Sequence, residues 1–136
     1  MDAAKVNDQR MFSLIVLYDM QTTFFRNVLD GISDEDALRR LDTKANHVAW
    51  LAGSLVQQRY EIANMLGVEG AQEANDLFEN NQSIKDRLTY PPLDQFRKDW
   101  ETISPKLREA FCNASRERST RNLKCCRGTR CATMIL

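Results

Sequence analysis

Three stretches of the chain place apolar residues three and four positions apart, which is the spacing of one face of an α-helix. The first stretch runs from about residue 4 to residue 29, and the second from about 44 to 66. The third follows the Pro91-Pro92 pair and continues to Phe111. The pattern therefore predicts an all-α chain built on three long helices.

The first and third predicted helices each carry one apolar stripe. The stripe of the first helix comprises Met11, Leu14, Ile15, Tyr18, Phe25, Val28 and Leu29. The stripe of the third helix comprises Leu93, Phe96, Trp100, Ile103, Leu107 and Phe111. Pro105 lies inside the third helix. Because proline removes a backbone donor and crowds the carbonyl four residues earlier, we expect a kink or a break between Glu101 and Ser104.

The stretch from Ala45 to Gly67 is typical of a single buried helix with polar residues on its core face. That predicted face comprises His47, Trp50, Leu51, Ser54, Leu55, Gln58, Ile62, Met65 and Leu66. Gly67 stands where a left-handed C-terminal cap would end the helix. The three polar members make this face the one place where the sequence could hide a binding site.

Shorter signals fill the two connections between the long helices. Ser33 followed by Asp36 predicts a capped helical turn that continues to about Leu41, because a serine oxygen can accept a free amide of the first turn. Residues 73–78 predict one or two further turns, and residues 80–92 are polar and interrupted by prolines, which predicts a long surface loop.

Charge divides the chain into a body and a tail. Residues 1–111 carry 13 Lys/Arg and 18 Asp/Glu, whereas residues 112–136 carry 6 and 1. We expect one helical domain over 1–111, which is a usual domain size, and a basic tail over 112–136. No apolar run approaches the ~18 residues that span a bilayer and no signal-like segment opens the chain, so we expect no membrane contact and a cytoplasmic location.

His47 is the one histidine of the chain, and a metal ligand is one reading of it. A metal site requires further converging ligands, however, and the alternative is a structural histidine near the start of the helix. Ser54 lies two turns away, roughly 10 Å along a helix, so the two cannot form a nucleophile–base pair. Trp50, Ser54, Gln58 and Trp100 are the candidate groove residues, although the two tryptophans also suit a role as core anchors.

The four cysteines all lie in the tail, at Cys112, Cys125, Cys126 and Cys131. They include no pair separated by two residues, which argues against a zinc site. The basic residues there are not interleaved with aromatic ones, so nucleic-acid binding through the tail is the weaker alternative.

Several segments, taken in order, resemble the DinB/YfiT-like superfamily. They are TFF at 23–25, SDEDAL at 33–38, NHVAWLAG at 46–53, LGV at 66–68 and YPPLDQFRKDW at 90–100. The resemblance covers about residues 8–111. It implies an up-down four-helix bundle, a homodimer, and a divalent metal such as zinc or nickel that serves a hydrolase or a thiol S-transferase.

The chain departs from the pattern of that superfamily at its metal site. Members commonly carry a metal-binding histidine directly after the glycine that corresponds to Gly53, and two more in the last helix. Here Ser54 follows Gly53, and no histidine occurs after His47. We therefore expect a binding, structural or dimeric module without a complete metal site in this chain, with the metal-dependent enzyme as the alternative.

The resemblance also implies a fourth amphipathic helix, which the tail does not provide. Composition, charge and periodicity all change at Phe111–Cys112. We hypothesise a lost reading frame at this point, which the other frames of the coding DNA would test. A bundle incomplete at its fourth helix leaves an apolar groove for the tail or for a second copy, and dimerisation within the superfamily favours the second copy.

Overall fold

The computed structural model describes residues 6–114 of the 136. Within this range it contains five α-helices, one short 3-10 helix and no β-strand. The α-helices are α1 (Met11–Val28), α2 (Asp34–Ala37), α3 (Val48–Met65), α4 (Asn75–Phe78) and α5 (Leu93–Cys112), and the 3-10 helix is Glu79–Asn81. The predicted all-α class is confirmed for these residues. None of the described helices is long and apolar enough to cross a lipid bilayer.

The helix α5 is the centre of the fold, because both α1 and α3 pack against it. Its predicted stripe is confirmed: five of the six residues are buried and Phe111 is half-buried. The remaining face of α5 is charged, so this helix is amphipathic in the ordinary sense, with one apolar stripe on the core and one polar side in water.

The predicted break of α5 near Pro105 is wrong, whereas the predicted kink stays a prediction. The helix is continuous from Leu93 to Cys112 with Pro105 inside it. Both Pro105 and Glu101, whose carbonyl loses its usual amide partner, lie on the solvent side of the helix. Water can therefore satisfy that carbonyl, which removes part of the cost of an internal proline.

The helix α1 runs antiparallel to α5. Arg97 near the start of α5 donates to the carbonyl of Leu29, whereas Arg108 near its end forms a two-pronged ion pair with Asp19. Helix α1 begins at Met11 rather than near residue 4. The reason is local, since the Asp8 carboxylate accepts the backbone amide of Arg10 and holds a turn there.

The helix α3 runs parallel to α5. His47, which directly precedes α3, packs edge-on against Tyr90, which lies three residues before α5 begins. Later in both helices, the hydroxyl of Tyr60 in α3 donates to the carbonyl of Asp99 in α5. Helix α3 begins at Val48 rather than Lys44 because the backbone of His47 is extended.

The predicted left-handed end of α3 is confirmed. Gly67 has φ +87°, and the amide of Val68 donates to the carbonyl of Ala63 at 2.8 Å. Together these form the capping motif in which glycine tolerates a conformation that other residues resist.

Two short segments close the sides of the three-helix unit. The serine cap of α2 is confirmed, since Ser33 Oγ accepts from the amide of Asp36. Helix α2 ends at Ala37, and the positive φ angles of Leu41 and Asp42 exclude a helix that continues through Leu41. The segment with α4 covers one side of α3, where the ring of Phe78 lies against the backbone of Gly53.

Candidate functional site

The stripe of α3 that the sequence predicted as core is largely in water. Leu51, Leu55, Ile62 and Met65 are between 36% and 51% exposed, and Gln58 is exposed as well. The prediction of this face as the buried one is wrong. The structure buries a neighbouring face instead, and that face consists mainly of small residues: Ala49, Ala52, Gly53, Val56 and Ala63. Small residues allow α3 to approach the bulky stripe of α5 closely, so large and small side chains complement each other there.

Helix α1 also carries an apolar stripe that nothing in the described residues covers. Leu14, Leu17, Phe24 and Val28 are between 44% and 66% exposed, and Gln21 lies among them. Leu14 and Val28 were predicted as core residues and are therefore corrected, whereas Ile15, Tyr18, Phe25 and Leu29 are buried as predicted, and Met11 is half-buried. Phe12, Val16 and Met20 are also 39–47% exposed and lie four residues apart on a further side, so α1 is apolar around most of its surface.

The exposed stripes of α1 and α3 are related to the core in the same way, because each exposed position directly precedes a buried or half-buried position. In α1, Leu17 precedes Tyr18 and Phe24 precedes Phe25. In α3, the exposed Leu51, Leu55 and Ile62 precede the buried Ala52, Val56 and Ala63. One residue is a rotation of about 100° about the helix axis, and it has the same sense in both helices. Since α1 and α3 are antiparallel to each other, the same rotation turns both stripes toward the same side of the molecule.

We call this combined surface the outer face. It comprises Leu14, Leu17, Gln21, Phe24 and Val28 of α1 and Leu51, Leu55, Gln58, Ile62 and Met65 of α3. The two helices contain only two charged residues each, Asp19 and Arg26 in α1 and Arg59 and Glu61 in α3, and none of these belongs to it. Eight apolar side chains that each leave about half of their surface in water offer on the order of 600 Å², and this approaches the roughly 800 Å² per partner of a standard interface.

His47 caps the start of α3. Its Nδ1 accepts a hydrogen bond from the amide of Trp50 at 3.0 Å, and its ring lies 4.8 Å from the ring of Tyr90. His47 is buried, and this burial lowers its pKa below the ordinary value and favours the neutral ring. Residues 6–114 contain no group of three or more histidine, cysteine, aspartate or glutamate side chains that could hold a metal ion. The observed role of His47 is that of a helix cap.

The four candidate groove residues do not share one environment. Trp50 is half-buried in the first turn of α3, and its Nε1 is buried without a hydrogen-bond partner. Ser54 is half-buried, and Gln58 is exposed. Trp100, in contrast, is a core residue whose ring stacks on Phe25 and whose Nε1 donates to a backbone carbonyl of α1. Of these four residues only Gln58 belongs to the outer face.

Arg59 is a buried charge that the sequence analysis did not single out. It is 5% exposed, and its guanidinium lies 3.4 Å from the ring centre of Trp100 and 4.1 Å from that of Tyr18. Its Nη1 donates to the hydroxyl of Ser104 at 2.5 Å. Burial lowers the pKa of Arg59 to about 10, so the side chain stays charged near neutral pH. The two rings and the hydroxyl offset part of the cost of burying this charge and tie α3 to α1 and α5.

Comparison of the chain with models of protein families, with curated proteins and with solved structures finds no match. The resemblance to the DinB/YfiT-like superfamily therefore stays a prediction.

Proposed function

We propose that this chain is a DinB-like bundle protein of the cytoplasm that acts as a homodimeric binding module, and that its outer face is the surface through which two copies associate. The observation that supports the proposal is the charge-free, apolar outer face shared by α1 and α3. A patch of this size lies at the upper end of the roughly 300–600 Å² that the largest apolar patch of a monomer usually has, and patches of that size often mark an interaction site.

The pattern of the face favours helices as its occupant. Leu14, Leu17, Gln21, Phe24 and Val28 follow the alternating spacing of three and four that makes a helix pack against other helices. The stripe of α3 has the same spacing and the same length. A partner therefore needs two helical stripes of this kind, and a second copy of the chain supplies both.

The basic tail is the other occupant that the sequence offers, and its composition fits less well. Residues 115–136 carry 6 Lys/Arg and lack an apolar stripe with alternating spacing of three and four. Their apolar residues are concentrated in the five positions 132–136, whereas each stripe of the outer face is spread over about 15 residues of helix.

The experiment is a comparison of molar mass by size-exclusion chromatography with light scattering on the full chain and two variants. Leu17→Asp/Leu55→Asp places a charge on each helix of the outer face. Because both leucines are already about half exposed, at 56% and 48%, the single chain should still fold. The matched control is Leu38→Asp/Leu88→Asp, which alters two leucines of 46% and 42% exposure outside that face.

We expect twice the mass of one chain for the wild type and the control, and the mass of one helical chain for the outer-face variant. A single-chain mass for the wild type at high concentration contradicts the proposal. So does a dimer that survives both aspartates.

A further inference from the structure

The positive charge of Arg59 has no acidic partner among residues 6–114. None of the ion pairs in this range includes Arg59, although the side chain is only 5% exposed. Asp19 attracts the guanidinium electrostatically, but its two carboxylate oxygens already accept hydrogen bonds from Nε and Nη2 of Arg108. A buried charge is costly unless an opposite charge lies beside it, because water no longer solvates it. The described part of the chain does not supply that opposite charge.

The guanidinium of Arg59 keeps one edge available for an anion. Its two flat faces are covered by the rings of Trp100 and Tyr18, and its Nη1 donates to the hydroxyl of Ser104. The described residues provide no acceptor for Nε and Nη2. These two nitrogens form the edge that binds a carboxylate through two parallel hydrogen bonds, and Arg108 uses the same edge to hold Asp19.

This edge is not sealed inside the core. Among the described residues, the fully buried side-chain nitrogens and oxygens that lack a hydrogen bond are Trp50 Nε1 and Gln72 Oε1. Nε and Nη2 of Arg59 lack a partner but are not among those sealed atoms, so both reach the surface of the described chain.

The position of Arg59 on α3 indicates which surface this is. Residues three and four positions apart are neighbours on a helix, so Arg59 has Val56 and Ala63 on one flank and Leu55 and Ile62 on the other. Val56 and Ala63 are fully buried, whereas Leu55 and Ile62 belong to the outer face and are 48% and 36% exposed. The exposed remainder of Arg59 therefore lies at the border between the core and the outer face.

We propose that Nε and Nη2 of Arg59 bind the carboxylate of a small apolar monocarboxylate, such as a medium-chain fatty acid, whose hydrocarbon chain lies on Leu55 and Ile62 of the outer face. One cation matches the single charge of such a ligand, and the aromatic and aliphatic side chains around the cation match its apolar body. The outer face contains no charged residue, so a second copy does not place an acid there. The inference goes beyond the homodimer and does not depend on it, because every residue named belongs to one chain.

The test is a titration of the ¹⁵N-labelled full chain with octanoate, followed by NMR through the Nε–H resonance of Arg59. That resonance is identified by its absence from the spectrum of Arg59→Met. Octanol supplies the same apolar body without the charge, and acetate supplies the charge without the body. We expect octanoate to shift the Arg59 resonance and to bind at least ~10-fold more tightly than either, because charged hydrogen bonds and apolar contacts both contribute.

The variant Arg59→Met retains an unbranched side chain but removes the charge and the donors. The dissociation constant for octanoate should rise by roughly 10- to 100-fold, while that for octanol should stay the same. The matched control is Arg97→Met, because the guanidinium of Arg97 already donates to Asp94 and to the carbonyl of Leu29. Its affinity for octanoate should equal that of the wild type. Circular dichroism checks the fold of both variants, and the three wild-type titrations decide the question if Arg59→Met does not fold.

Three results would overturn the inference. They are octanoate that leaves the Arg59 resonance unchanged, octanol that binds the wild type as tightly as octanoate, and Arg59→Met that binds octanoate as well as the wild type. Acetate that binds as tightly as octanoate would contradict the apolar body and indicate an acidic side chain of a partner instead. A wild type that remains a single chain and binds octanoate through Arg59 removes the homodimer and leaves this inference, whereas a dimer that does not bind octanoate does the reverse.

Discussion

Helix α5 and the pair formed by α1 and α3 use apolar residues in different ways. Helix α5 has eight charged residues among its twenty, and its apolar stripe is buried where the sequence predicted. Helices α1 and α3 have only two charged residues each among eighteen, and each presents a second apolar stripe to water. A helix with one apolar stripe has one partner, whereas a helix with two adjacent stripes is suited to a partner on each of two sides. The difference indicates that, among residues 6–114, the apolar stripe of α5 is covered and the second stripes of α1 and α3 are not.

The largest effect that separates the two regions should come from truncating matched leucines. Leu107 of α5 is fully buried, so Leu107→Ala should reduce the free energy of unfolding by about 2–5 kcal/mol. Leu17 of α1 is 56% exposed in the single chain, and Leu17→Ala should cost less than about 1 kcal/mol at concentrations too low for association. Urea unfolding of dilute protein measures both. Equal costs would contradict the distinction between core and outer face.

A smaller effect should come from the tight side of α3, where Gly53 meets Phe78. A Cβ added at Gly53 would lie 2.0–2.7 Å from atoms of the Phe78 ring, so the ring has to move. We expect Gly53→Ala to destabilise the chain by about 1–3 kcal/mol, even though alanine favours helix. The control is the same substitution in a Phe78→Ala background, where the cost should largely disappear. If Gly53→Ala is equally costly without the ring, the close approach is not the cause.

The smallest effect concerns pH and the cap of α3. Burial lowers the pKa of His47 below its ordinary value of 6.5, so the unfolded chain takes up a proton at a higher pH than the folded chain does. Stability should therefore decrease as pH falls from about 7 through 6.5 toward the lowered pKa, because the protonated ring can no longer accept from the Trp50 amide. Thermal unfolding between pH 7.5 and 5 measures this. His47→Asn retains a capping acceptor but does not titrate, so its stability should depend less on pH between about 7 and 5. If the pH dependence of stability is unchanged in this variant, groups other than His47 cause it.

The sequence was sufficient for the buried face of α5, although not for its continuity through Pro105, and for the ends of several helices. One apolar stripe next to a charged face leaves a single orientation for α5, and Ser33 and Gly67 act through their own backbone neighbours. Such features are local, so periodicity and capping chemistry can identify them. The prediction placed the start of α1 too early, because the turn at Asp8 that competes with helix there is held by one side-chain hydrogen bond and has no periodic pattern.

Which face of α3 is buried could not be predicted from periodicity and capping chemistry. Its two stripes are both apolar, and the stripe with the larger residues, which includes Leu51 and Leu55, was chosen as core. Which stripe is buried depends on the shape of α5, whose bulky residues require small partners such as Ala52 and Ala63. The cage around Arg59 is also tertiary, since it joins residues of three helices. Neither feature has a signature within one segment of the chain.

The central claim is that a second copy covers the outer face, and hydroxyl-radical footprinting of the wild-type chain at increasing protein concentration tests it residue by residue. We expect oxidation of Leu17, Phe24 and Leu55 to slow as concentration rises, while oxidation of the similarly exposed Leu38 and Leu88 stays constant. Oxidation of the outer-face residues that does not change with concentration, in a range where the mass shows a dimer, would contradict it.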